Sequence, residues 1–171
     1  TAAAEGYRPV LPDSAVGRLR ASLGRPATAP IALVSRRASL SPDDQLVNDA
    51  VAPTVLVTCA SADADRRAAL AAAGVTVLVC GEDDVDLPAA VAALADRGLE
   101  QVTCEGGPQL LRAALTADVV DELDLTVAPA VVGSPQRLLD AALPAVTPLT
   151  LGQVLEEDGV LFTRYRVAGT H

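Results

Sequence analysis

Lysine, methionine and tryptophan are missing from all 171 residues, and histidine occurs once, at the C-terminal His171. Without lysine there is no Schiff-base amine and no P-loop ammonium. A single terminal histidine removes the His-centred triad and the His general base, and leaves too few ligands for an ordinary metal set. Aromatic residues are reduced to Tyr7, Phe162 and Tyr165. The core must therefore be built from Val, Leu and Ala, and the stacking platforms of single-strand nucleic-acid binders are absent. No apolar run approaches the ~20 residues of a membrane-spanning helix, and no signal-peptide pattern is visible. Cysteine is scarce and unpaired in sequence: Cys59, Cys80 and Cys104 each end an apolar run, and none forms a C-x-x-C pair. Buried free thiols in a reducing cytoplasm are the expected state. With no methionine the chain carries no initiator of its own, and it is expected to be the C-terminal part of a longer polypeptide.

What is present is acidic and aliphatic. Asp and Glu number 22 against 13 basic residues, all arginine, giving a net charge of −9. That balance argues against nucleic acid as a partner and otherwise bears on solubility. Half of the residues are hydrophobic, and the length suits one domain with a real core. The arginines are uneven. Arg8, Arg18, Arg20, Arg25, Arg36 and Arg37 crowd the first quarter, and Arg18, Arg20 and Arg25 read as a solvated basic face.

Along the chain, Pro12-Asp13-Ser14 caps a helix over Ala15 to Leu23, stopped by Gly24 and Pro26. Ile31–Val34 is a short apolar run of buried-strand type, ending in Ser35-Arg36-Arg37. A hydroxyl and a guanidinium just past a strand end suit a phosphate monoester, which arginine binds bidentately; a plain polar loop is the alternative. Ser41–Asp44 is a turn cluster. Thr54–Cys59 is the next strand, and Ser61 is expected to cap a helix closed by Gly74. Val75–Cys80 is again a strand. The acidic loop Gly81–Asp84 lacks metal-ligand spacing, and no metal site is expected. An alanine-rich helix runs from Leu87 to Arg97 and stops at Gly98.

The stretch from Val102 to Gly133 carries the clearest chemistry. A short run, Val102-Thr103-Cys104, reads as a strand and ends at Glu105; Gly106, Gly107 and Pro108 follow, then the helical pattern Leu110, Leu111, Ala114, Leu115. Proline suits the first helical turn, and the glycines allow positive φ and close backbone approach. Free N–H groups at a helix start attract phosphate, although a tight turn without a ligand would use the same residues. Asp121–Pro129 then alternates acid-out and apolar-in. After an irregular, proline-bearing connection from Pro135 to Pro148, Leu149–Leu155 and Val160–Val167 read as a hairpin joined through Glu156-Glu157-Asp158-Gly159. Leu161, Thr163, Tyr165 and Val167 share one face, and Phe162, Arg164 and Arg166 the other. Alternating strands and helices followed by a hairpin predict an α/β fold, a mostly parallel sheet with helices on both faces and an antiparallel ending.

Glu105-Gly106-Gly107-Pro108, Leu110-Leu111, Val120-Asp121-Glu122-Leu123 and Pro129 to Gly133, in that order and spacing, closely resemble the reductase domain of riboflavin biosynthesis, a branch of the dihydrofolate-reductase-like fold. The resemblance covers roughly Thr1 to Val167 as a single domain and implies that the family's N-terminal strands and helix are absent from this chain. It implies NADPH-dependent reduction of 5-amino-6-(5-phosphoribosylamino)uracil, a small-molecule substrate, with a homodimer as the expected assembly. Thr1 and Glu5 match part of a cofactor-side segment. Ser35 matches a hydroxyl residue of the NADP site, which places Ser35 and Arg36 near the adenosine 2′-phosphate. Gly106, Gly107, Pro108, Gln109 and Leu110 would lie at the pyrophosphate and nearby cofactor atoms. Glu105 would face the substrate, or cap the following helix; Arg8 is a candidate for a substrate phosphate, and no proton donor is assigned. A dihydrofolate or pterin reductase of the same fold, and a non-catalytic assembly module, are the alternatives.

Overall fold

The computed structural model describes residues 10–133 and 137–168. Thr1, Glu5 and Arg8 therefore lie outside the described residues. The chain divides into two compact units, Thr1–Glu100 and Gln101–His171.

The first unit is a parallel sheet of three strands, β1 (Ala32–Val34), β2 (Val55–Thr58) and β3 (Thr76–Val79), in spatial order β1-β2-β3. It is preceded by α1 (Ala15–Ser22), whose first turn is closed by the Ser14 hydroxyl accepting from the Gly17 N–H at 3.0 Å. Helices α2 (Gln45–Asn48), α3 (Ala64–Ala72) and α4 (Leu87–Ala95) follow β1, β2 and β3 respectively.

The central strand β2 is buried at every position. Its side chains alternate between two cores, as a pleated strand requires. Val55 and Val57 pack with Leu78, Cys80, Ala90 and Leu94, on the side of α4. Leu56 packs with Ala38, Ala62, Leu70 and Val75, on the side of α3. Helices thus cover both faces, which is why Val55, Leu56 and Val57 are consecutively apolar rather than alternating with polar residues. Each fully buried Leu here contributes about 1.5–3 kcal/mol of transfer free energy.

Two expectations need correction in this unit. The N-cap of α3 is Asp63, whose carboxylate accepts from the Arg66 N–H at 2.9 Å, and not Ser61. Ser61 is held elsewhere: its N–H donates to the Glu82 carbonyl at 2.8 Å, and its hydroxyl lies 3.3 Å from the Asp83 carbonyl. It stitches the end of β2 to the loop after β3 instead of starting a helix. The Ser41–Asp44 cluster, in turn, leads into α2, with Asp44 as its N-cap. One turn of helix is marginal alone, but the buried Thr54 hydroxyl donates to the Leu46 carbonyl and ties it to the head of β2.

The second unit holds α5 (Pro108–Thr116) and an antiparallel sheet of β4 (Glu122–Val127), β5 (Leu149–Glu157) and β6 (Val160–Val167), in order β4-β6-β5. The turn between β5 and β6 is Asp158-Gly159, at φ 52° and 79°. Two consecutive positive φ values are what a type I′ hairpin demands, and they match strand twist. The Glu156 carboxylate accepts from the Gly159 N–H at 2.7 Å and secures the turn. Gly152 interrupts the register of β5 between Leu151 and Gln153, a bulge. In cross-strand register, Leu123 and Leu151 flank Tyr165, Leu125 and Val154 flank Thr163, and Leu161 faces Val127. The expected face of Leu161, Thr163, Tyr165 and Val167 is therefore the apolar one. On the other face Arg164 pairs with Asp124 at 2.9 Å and with Glu122 at 3.5 Å.

The expected strand at Val102–Cys104 does not form: residues 101–107 are irregular. A strand exists only where its N–H and C=O groups find a ladder, and among the described residues none lies alongside; Val102 is 50% exposed. The architecture is α/β as expected, with parallel strands first and the antiparallel hairpin last, and β4 joins the hairpin rather than the parallel sheet.

Candidate functional site

Two places gather the residues that the sequence singles out, one in each unit.

In the first unit the loops past the carboxyl ends of β1, β2 and β3 surround a cleft of about 430 Å³. This edge of a parallel sheet is where α/β proteins hold ligands. Arg36 and Arg37 come from the loop after β1, Ser61 and Asp63 from the loop after β2, Arg66 from the first turns of α3, and Asp83 from the loop after β3. Ser35 follows β1 directly, and its N–H donates to the Val57 carbonyl at 2.9 Å. Its hydroxyl accepts from the Ser39 N–H and lies against the Ser39 hydroxyl, both at 3.0 Å, so it clasps its own loop. Arg36 lines the cleft and Ser35 does not. The Arg36 carbonyl in turn accepts from the buried Cys59 thiol at 3.4 Å, which fixes the backbone of the arginine loop to the end of β2. Burial, with Asp86 nearby, pushes the neighbouring Cys80 thiol up, Arg97 acting weakly the other way. It is a neutral core group and not a nucleophile.

In the second unit the Gly106-Gly107-Pro108 turn starts α5. Gly107 is the N-cap, at φ −64°, and no side chain caps it; Pro108 occupies the first helical turn. Neither Gly106 nor Gly107 uses a positive φ; only Gly106 is required for space. A Cβ on Gly106 would come within 2.5 Å of the Leu110 side chain, whereas a Cβ on Gly107 would meet nothing within 4 Å. Gly106 is thus a packing glycine and Gly107 faces open space. The Gly107 carbonyl accepts from the Leu110 N–H at 3.0 Å and from the Leu111 N–H at 3.2 Å. Gln109 stands in the first turn, where a backbone N–H has no intrahelical acceptor. Glu105 is exposed just before the turn. Further along α5, Arg112 binds Asp140 at 2.7 Å, holding the Asp140 carboxyl below its ordinary range and tying the helix to the connection before β5. An uncapped, glycine-opened helix start with clear space before it suits a pyrophosphate, so the residues present fit a dinucleotide cofactor.

Sequence reasoning passed over Arg66 and the cleft side of Ser61. Ser61 carries an N-cap signature, and Arg66 sits within an ordinary helical pattern. The available signal is position: each follows shortly after the carboxyl end of a parallel strand. Among the described residues no group of three or more His, Cys, Asp or Glu could hold a metal ion, and no helix is long and apolar enough to cross a membrane.

Guanidiniums past parallel strand ends and a glycine-opened helix start are features that nucleotide-binding α/β proteins use. The chain belongs to the RibD C-terminal domain family, whose sequence pattern matches residues 6–157. A pyrimidine reductase-like protein from Corynebacterium diphtheriae is similar over 98% of this chain and 72% of its own, at 29% identity and a TM-score of 0.74. The 2,5-diamino-6-ribosylamino-4(3H)-pyrimidinone 5′-phosphate reductase of Methanothermobacter thermautotrophicus is 36% identical over 101 residues, 59% of this chain and 46% of that protein. The riboflavin biosynthesis protein RibD of Bacillus amyloliquefaciens is 31% identical over 88 residues, 52% of this chain and 24% of that protein. The chain thus spans less than half the length of the curated relatives it matches. The likeness extends to the Saccharomyces cerevisiae riboflavin biosynthesis reductase Rib7 at 15% identity and a TM-score of 0.63, in fold alone. These neighbours share the dihydrofolate-reductase-like α/β fold.

Proposed function

We propose that this chain is the reductase portion of a riboflavin-biosynthesis enzyme, reducing a phosphoribosylaminopyrimidine with NADPH. The observation that carries the reading is the open start of α5: an uncapped Gly107 with clear space before it, in a chain of the RibD C-terminal domain family. The Gly107 and Gln109 backbone amides would hold the cofactor's pyrophosphate, with the α5 dipole behind them. Arg36, past the end of β1, would bind the adenosine 2′-phosphate by its guanidinium. Glu105, exposed beside the turn, would orient the substrate by accepting from its amino or hydroxyl groups. A bound dihydronicotinamide supplies the hydride. Reduction of the ring-opened substrate breaks the C=N π bond at ribose C1; a C–H bond forms there, and the nitrogen takes a proton from solvent. Positioning is then the protein's main contribution.

The family pattern runs without a break across both units, which supports their acting as one reductase domain. The half-exposed apolar face of the β4-β6-β5 sheet supports self-association as a homodimer, and the substrate class supports a cytoplasmic setting.

The test is NADPH oxidation with two candidate substrates, 5-amino-6-(5-phosphoribosylamino)uracil and 2,5-diamino-6-ribosylamino-4(3H)-pyrimidinone 5′-phosphate. Turnover of either supports the reading, and the preferred one fixes the place of reduction relative to deamination. Turnover of dihydrofolate alone would reassign the substrate. NADPH binding without turnover of any of them would leave an assembly role.

A further inference from the structure

The turn that presents Arg36 and Arg37 ends on a residue under backbone strain. The Ala38 N–H donates to the Ser35 carbonyl at 3.2 Å, so the two arginines are the central residues of a β-turn. Both are exposed. Ala38, the next residue, is wholly buried, and it packs with Leu56, Ala62, Leu70 and Val75 in the core on the α3 side. It does so at φ 49°, in the left-handed region, where a Cβ is disfavoured and glycine is the ordinary choice. Among the described residues the other non-glycine positions at positive φ are Asp118 and Asp158. Both are exposed, and aspartate tolerates that region. At Ala38 the surrounding core holds the backbone there.

The rest of the turn is tied down as well. The Ser35 N–H donates to the Val57 carbonyl at 2.9 Å, and the Ser35 hydroxyl accepts from the Ser39 N–H at 3.0 Å. The Cys59 thiol donates to the Arg36 carbonyl at 3.4 Å. Ser61 backs that thiol: its hydroxyl lies 3.3 Å from the Cys59 sulfur and 3.3 Å from the Asp83 carbonyl. Two guanidiniums on successive residues repel each other, so charge alone would loosen this turn.

We infer that Ala38 is a positioning residue, whose buried methyl fixes the turn and aims Arg36 before any ligand arrives. Strain kept beside a charged cleft has this use: the cost of ordering the turn is met on folding and not on binding. Cys59 supports the same turn from the end of β2. The inference rests on the proposed reading, in which Arg36 meets the 2′-phosphate, and concerns what aims that side chain.

The test is calorimetric titration of the full chain with NADPH and with NADH, which lacks the 2′-phosphate. Ala38→Gly removes the methyl and relieves the left-handed φ. These effects on folding oppose each other, so the urea midpoint should shift little, while hydrogen exchange at the Ser39 N–H quickens. NADPH affinity should fall about three- to tenfold, with NADH unchanged. Cys59→Ala should act in the same direction, with partial recovery in Cys59→Ser, whose hydroxyl can donate again; circular dichroism confirms each fold. Equal losses for NADH and NADPH would mean a general structural role and overturn the inference. If Arg36→Gln weakens NADPH but Ala38→Gly does not, the inference is refuted and the reading stands. If Arg36→Gln itself leaves NADPH binding unchanged, the role given to Arg36 fails, and the inference falls with it.

Discussion

Strands β2 and β5 both carry large apolar side chains, and these meet opposite fates. Val55-Leu56-Val57-Thr58 is buried at every residue, whereas Leu149–Glu157 is exposed at every residue, with Leu151 at 54% and Val154 at 47%. The difference lies in their neighbours. β2 runs between two strands and under helices on both sides. β5 is the edge of a sheet whose apolar face has no comparable cover among the described residues. Hydrophobic sequence makes a strand possible, but only packed neighbours remove it from water. The first unit is thus a finished core that presents loops, and the second is a framework presenting α5 and an apolar sheet face.

The sharpest way to break that comparison is to truncate one leucine in each unit. Leu56 is wholly buried, and Leu56→Ala should cost about 2–5 kcal/mol in urea unfolding. Leu151→Ala, on the exposed face, should cost less than about 1 kcal/mol and act mainly on self-association. Equal costs would mean that the sheet face of the second unit is as buried in solution as the core of the first.

Thiol labelling sharpens the contrast by a smaller effect. Cys104 is exposed, whereas Cys59 and Cys80 are buried. Alkylation of the native chain should modify one thiol quickly and two only on unfolding. Burial and Asp86 raise the pKa of Cys80, so a moderate rise in pH should leave Cys80 protected. Rapid modification of all three would contradict a closed first unit.

The smallest expected effect is electrostatic and belongs to the second unit. The hydrogen bond from Arg164 holds the Asp124 carboxyl below its ordinary value. A carboxylate with a lowered folded pKa contributes stability above its unfolded pKa, about 3.9, and loses it as pH falls through the lowered folded value. Both groups are solvent-exposed, so the contribution is small. An NMR titration should find Asp124 protonating below a typical exposed aspartate, and Arg164→Gln should return its midpoint to normal.

Much of this fold is legible in the residues. Asp158-Gly159 declares its hairpin because few other pairs accept two positive φ values, and Thr54–Cys59 declares a strand by its run of β-branched and apolar residues. The failures have physical reasons as well. α2 is one turn long, too short to show periodicity, and is held by a tertiary bond from Thr54. Ser61 and Asp63 are equally good caps in isolation; the choice between them was made by the loop after β3, which claims Ser61. Val102–Cys104 has strand-like composition, but a ladder partner is not a property of the segment itself. In the site, the Gly-Gly-Pro turn is local and readable, while the meeting of Arg36, Arg37 and Arg66 depends on topology and emerges only in three dimensions.

The central claim is that the amides at the start of α5 receive the charged bridge of a dinucleotide. It is tested most directly by following backbone amide resonances of the chain while NADPH is added. The account predicts saturable shifts concentrated at Gly107, Gln109 and Leu110. Unmoved resonances there, with NADPH absent or bound elsewhere, would contradict it.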